Sequence, residues 1–111
     1  MKVLLVEDDS SVRALLSVTL GLEGGVDEIR EADNGDDAVA VCATWQPDAI
    51  VVDGHMRGVQ GDELGRALRE CAPNARIISF TGVASEPDWA TVQVVKASDG
   101  ALDRVLSAVL T

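Results

Sequence analysis

Hydrophobic and polar positions along this chain come in blocks. Lys2 to Val6 is a short apolar run that stops abruptly at Glu7, Asp8 and Asp9, the pattern of a strand buried on both faces of a parallel sheet. From Ser10 the apolar residues Val12, Leu15, Leu16 and Leu20 fall at helical spacing. Asp9 or Ser10 is available as N-cap, and the stretch Gly21 to Gly25 ends the run. Glu28 to Ala32 offers only Ile29 and Ala32 as apolar residues and reads as a weak edge strand. Asn34-Gly35 punctuates. Asp36 to Trp45 then carries Ala38, Val39, Val41, Cys42 and Trp45 on a helical stripe that Pro47 prevents from continuing, with Asp36 and Asp37 as first-turn acids complementing the helix dipole.

Ala49 to Val52 is a second fully apolar strand, again cut off by an acid, Asp53. Residues 54 to 61 hold three glycines and read as a long loop. Gly61 to Cys71 reads as a helix, Arg76 to Phe80 and Val92 to Val95 as strands, and Ser98 to Leu110 as a last amphipathic helix with Leu102, Val105, Leu106 and Val109 inward. Strands alternating with helices through short connections predict an α/β fold, a doubly wound parallel sheet with right-handed crossovers.

The length, 111 residues, fits one domain over the whole of 1–111, and 47% hydrophobic with 25% charged residues is an ordinary globular balance. The net charge of −10 leaves no basic face for phosphates, so no direct nucleic-acid or anionic-membrane contact is expected. Cations and basic partner surfaces are the natural ligands. No apolar run approaches the ~18 residues of a membrane span, and no signal peptide is read at the start, so a cytoplasmic location is expected. Cys42 and Cys71 are too few for a disulfide framework and are read as reduced, small core residues.

In open doubly wound sheets, ligands bind outside the carboxyl ends of the strands. There this chain places Glu7, Asp8 and Asp9 after the first strand, Asp53 after the third, Thr81 after the fourth and Lys96 after the fifth. Asp9 is most simply an N-cap. Clustered carboxylates repel, and a hard divalent cation with oxygen ligands is the ready remedy, Mg²⁺ first among them. A carboxylate can also attack phosphorus to give an aspartyl-phosphate, for which the centrally placed Asp53 is the candidate. Lys96 and Thr81 would contact phosphoryl oxygens.

These residues resemble the receiver domain of two-component response regulators. The likeness lies in Val-Leu-Leu-Val-Glu-Asp-Asp, in Glu-Ala-Asp-Asn-Gly-Asp-Asp-Ala-Val and in Pro-Asp-Ala-Ile-Val-Val-Asp-Gly-His-Met, and it extends over nearly the whole chain. The resemblance implies a flavodoxin-like, five-stranded sheet in the order 2-1-3-4-5. It also implies Asp53 as phosphoacceptor, Glu7 and Asp8 as the acidic pair that organises Mg²⁺, the backbone carbonyl of His55 as a further ligand, Thr81 as switch hydroxyl and Lys96 as the family's lysine.

Four departures stand out. Arg57 follows Met56, and Ala97 follows Lys96, where the family usually has proline. Gln93 occupies the place of a Tyr or Phe that reports phosphorylation, and the chain has no Tyr. Finally, only Gly82 to Thr91, ten residues with Pro87 among them, separate Thr81 from the fifth strand. A crossover with its helix needs at least ~10–12 residues, so the family's fourth helix is expected to be missing or reduced to a turn near Glu86 to Trp89. Trp89 is expected to fold back on the sheet as a partial lid. If that cover is incomplete, the apolar strip favours a homodimer.

The leading expectation is therefore a signalling switch that takes a phosphoryl group onto Asp53 from a histidine kinase or phosphotransfer protein, in a Mg²⁺-dependent reaction, and acts on an unidentified downstream protein through an altered output surface. His55, two residues beyond Asp53, would modulate hydrolysis. No turnover of an external substrate is expected beyond self-phosphorylation and self-dephosphorylation. The alternative is a receiver-like interaction module independent of phosphorylation. A phosphatase of the haloacid-dehalogenase type fits poorly, because Asp53-Gly54-His55 lacks the second acid such enzymes use.

Overall fold

The structure is a computed structural model that describes residues 1–54, 61–82 and 87–111. His55, Met56, Arg57 and Glu86 lie outside the described residues. The elements run β1 (Lys2–Val6), α1 (Ser10–Gly21), β2 (Glu28–Ala32), α2 (Gly35–Trp45), β3 (Ala49–Val52), α3 (Gly61–Cys71), β4 (Arg76–Thr81), β5 (Val92–Val95) and α4 (Ala101–Leu110). The five strands form one parallel sheet in the order β2-β1-β3-β4-β5. β2 is an edge, as its sparse apolar content indicates, and β5 is the other.

Strand residues alternate between two cores, which is why β1, β3 and β4 read as unbroken apolar runs. Leu4, Val6, Ile50, Val52 and Ile77 face α2 and α3, joined by Leu64, Leu68 and Cys42. Val3, Leu5, Val51, Ile78 and Phe80 face the other way, packing with Leu16 and Leu20 of α1 and Val105 and Val109 of α4. Asp9 caps α1, its side chain accepting from the Ser11 and Val12 amides. Asn34 caps α2 by accepting from Asp37 N, with Asp36 and Asp37 in the first turn.

Three details differ from the sequence expectation. β4 extends one residue further, to Thr81. The last helix begins at Ala101 rather than Ser98. Residues 98–100 form a turn in which Ser98 N donates to Val95 O, and Gly100 adopts φ 68°, a left-handed conformation that cannot belong to a right-handed helix. Cys71 is only half-buried at the end of α3, while Cys42 is fully buried in the core; both are free thiols.

Among the described residues no helix stands between β4 and β5. Residues 87–90 make a single turn, with Ala90 N donating to Pro87 O. Trp89 turns inward and is only 6% exposed, packed in the core that α2 and α3 share. Its seat is Gly65 on α3. A Cβ added there would fall among the indole carbons Cδ2, Cε2 and Cε3, the last at 2.6 Å, so only glycine lets the ring lie against the helix backbone. Among the described residues no helix is long and apolar enough to cross a membrane.

Candidate functional site

Parallel pairing sets the site. The register Val6↔Val52 ends β1 and β3 at one level, and Asp53 N donates to Val6 O at 2.9 Å, so Glu7 and Asp53 leave the sheet side by side. Across β4 the register Thr81↔Val95, with Lys96 N donating to Thr81 O at 2.8 Å, brings Lys96 to the same edge. Its Nζ bridges the two acids, 2.6 Å from Glu7 Oε1 and 3.0 Å from Asp53 Oδ2. It also lies 5.5 Å from the centre of the Phe80 ring.

Glu7 and Asp53 are buried at 2% and 6% exposure, and Asp8 beside them is more accessible. One carboxylate oxygen from each of Glu7, Asp8 and Asp53 lies within 4.8 Å of the others. Burial pushes the Glu7 carboxyl up to about 6, helped by its neighbour Asp53, although the hydrogen bond from Lys96 pulls the other way. Burial acts to lower the Lys96 ammonium, but its bonds to Glu7 and Asp53 outweigh that and hold its pKa above the ordinary lysine value. Three clustered acids, two of them bonded to one ammonium, leave an excess of negative charge. All the donors are hard oxygens. That is the chemistry of a Mg²⁺ or Ca²⁺ site, and the residues present fit such an ion.

Thr81 is buried at the end of β4 and faces Gly54: a Cβ built on Gly54 would lie 3.8 Å from Thr81 Oγ1. The hydroxyl thus flanks the backbone immediately after Asp53. Of the residues singled out from the sequence, Glu7, Asp8, Asp53, Thr81 and Lys96 come together at one edge, and Asp9 is engaged as the helix cap. The His55 carbonyl lies outside the described residues. Arg13 was not foreseen. Its Nη1 donates to Glu7 O at 2.8 Å and its Nε to Glu31 at 3.2 Å, so it fixes the backbone of the acidic turn and adds positive charge near it. The only sequence signal for it is a basic residue one turn into the helix that follows the acids.

Fold and site together define an open α/β domain with a cation-seeking acidic centre at the carboxyl edge of its sheet. The family of response regulator receiver domains matches residues 3–103, and the chain belongs to it. A protein-glutamate methylesterase/protein-glutamine glutaminase from Geobacter metallireducens is 30% identical over 97 residues, which are 87% of this chain and 28% of that protein. The chain thus spans under a third of that relative's length. Among solved structures, a Burkholderia pseudomallei response regulator with a phosphorylated aspartic acid, calcium ion and citrate matches 97% of this chain and 65% of its own. Its TM-score is 0.82 at 26% identity. The chemotaxis response regulator CheY4 of Vibrio cholerae matches 97% of each chain with a TM-score of 0.81 at 29% identity. Receiver domains bind Mg²⁺ at this acidic pocket and interact with histidine kinases or phosphotransfer proteins and with downstream effectors.

Proposed function

We propose that this domain is a phosphoacceptor switch in which Asp53 takes a phosphoryl group from the phosphohistidine of a histidine kinase or phosphotransfer protein. The observation that carries this reading is Lys96 Nζ held between Glu7 and Asp53, at 2.6 and 3.0 Å, beside a cluster of oxygen donors. Glu7, Asp8 and Asp53 would hold Mg²⁺, with the His55 carbonyl as a further ligand; when bound, the ion offsets charge on the phosphoryl oxygens. The Asp53 carboxylate attacks phosphorus in line as the P–N bond breaks, and the electron pair leaves on the imidazole. Lys96 meets developing negative charge on an equatorial oxygen, and the Thr81 hydroxyl, next to Gly54, donates to another. Attack of a water on the acyl-phosphate resets the domain, and His55, two residues beyond Asp53 in the sequence, would tune that step.

In this reading the output surface is altered, with Trp89 packed in the core beside Ile77 of β4 and Leu64 and Leu68 of α3. That same feature, with Gln93 in place of an aromatic residue, favours a second reading: a protein interaction or dimerisation module that does not use phosphorylation. Incubation with a small acyl-phosphate and Mg²⁺, read by intact mass, separates the two. One added phosphate, lost in Asp53→Ala, is the expected result. No addition with any donor would favour the module.

A further inference from the structure

Trp89 closes a ring of contacts that begins and ends at Asp53. On one side, Gly54 O accepts from Gly61 N at 3.0 Å, which ties the residue after Asp53 to the first residue of α3. Next in sequence, Asp62 Oδ1 accepts from Trp89 Nε1 at 2.9 Å. The ring then lies against Gly65, one turn further along the same helix. Two residues on, Thr91 N donates to Ile77 O at 2.8 Å, and Thr91 leads directly into β5. β5 ends at Val95, and Lys96 returns to Asp53 at 3.0 Å.

Arg69 braces the far side of this ring. Its Nε donates to Trp89 O at 3.1 Å, its Nη1 to Ala75 O at 2.6 Å and its Nη2 to Thr91 Oγ1 at 3.2 Å. The connection into β5 is therefore pinned to α3 by one guanidinium and one indole, while both ends of the ring meet at the proposed phosphoacceptor.

We propose that the Asp62–Trp89–Arg69 clamp is the conformational relay of this domain, so that phosphorylation of Asp53 shifts Trp89 against α3 and carries the signal to the β4–β5 connection. This rests on the phosphoacceptor reading above. Phosphorylation adds roughly one further negative charge at Asp53, which changes what Lys96 and the backbone at Gly54 contact. Both ends of the ring feel that change at once, and Asp62 and Trp89 are where the two arms meet. A packed contact of this kind shifts between discrete arrangements more readily than it stretches.

The test is intrinsic tryptophan emission with phosphate incorporation followed in the same samples by intact mass. Wild-type protein, Trp89→Phe and Asp62→Ala are each treated with Mg²⁺ and a small acyl-phosphate. The expected result is a change in wild-type emission that follows phosphate incorporation, is absent in Trp89→Phe, where only Trp45 emits, and is lost in Asp62→Ala although its mass still increases. Incorporation without an emission change in the wild type, or an unaltered response in Asp62→Ala, would overturn the relay and leave the phosphoacceptor reading standing. No incorporation in any sample would overturn both.

Discussion

Gly65→Ala tests the seat of Trp89 quantitatively. Position 65 lies inside α3, where alanine is favoured over glycine by about 1 kcal/mol on helix propensity alone. An added methyl here, however, collides with three indole carbons of a side chain that is 6% exposed. Overpacking of this kind costs about 1–3 kcal/mol, so after the propensity gain the net expectation is a loss of up to about 2 kcal/mol. Removing the indole by Trp89→Ala forfeits about 3–5 kcal/mol. In that background the methyl has room, and Gly65→Ala should then stabilise by up to about 1 kcal/mol. The difference between the two backgrounds corresponds to a coupling of about 1–3 kcal/mol, within what contacting residues show. Urea unfolding of the four proteins, with unchanged slopes, measures the cycle. If Gly65→Ala stabilises the wild type as much as it does Trp89→Ala, the indole does not occupy that seat.

Further outcomes follow from the acidic centre. Burial raises Glu7 from its ordinary 4.5 to about 6, so the stability its proton confers is fully present below about 4.5 and is lost as the pH rises through about 6. Ionised Glu7 thus costs the metal-free domain about 2 kcal/mol at neutral pH, and Glu7→Gln should recover about 1–2 kcal/mol there and nothing at pH 4.5, in urea titrations with a chelator. Mg²⁺ at a hundredfold its Kd should stabilise the wild type by about 2.7 kcal/mol, and Asp53→Ala far less. Lys96→Met leaves Glu7 and Asp53 facing each other without their shared ammonium, and should destabilise the metal-free domain more at pH 8 than at pH 5. Asp9→Ala should cost about 1 kcal/mol by uncapping α1 without altering Mg²⁺ binding.

The strands were legible because each central one is buried on both faces and bounded by an acid or a turn. Lys2 to Val6 and Ala49 to Val52 are found at those bounds. The start of α4 was not, since an amphipathic pattern extends back through Ser98 and nothing in it reveals that Gly100 takes a left-handed conformation. At the site, the acids and Lys96 could be placed by one rule, that chemistry gathers at the carboxyl ends of parallel strands. Arg13 escaped that rule because it reaches the site from a helix and acts on a backbone carbonyl. Trp89 could be foreseen as a cover, being the only large apolar residue in a short connection. Its partners could not: Asp62 and Arg69 read as ordinary exposed charges of a helix. Gly65 was the available clue, since a glycine inside a helix costs stability unless something needs the space.

The length of the β4–β5 connection and the chemistry of the site are separable for a reason that lies in the sheet. Glu7, Asp53 and Lys96 are placed by strand register: Val6↔Val52 aligns the two acids, and Thr81↔Val95 brings the lysine. None of those pairings needs a helix between β4 and β5, only that β5 reach its place beside β4. That requirement is met here by Thr91, whose amide donates to Ile77 O while its hydroxyl accepts from Ile77 N at 3.1 Å. A helix in that position would contribute cover for the sheet and a surface that moves. Trp89 supplies the cover, bonded to α3 rather than free to slide over the sheet. Shortening the connection therefore leaves the acids and the lysine together at one sheet edge, and in the relay proposed above transmission falls to α3, which touches both the residue after Asp53 and the approach to β5.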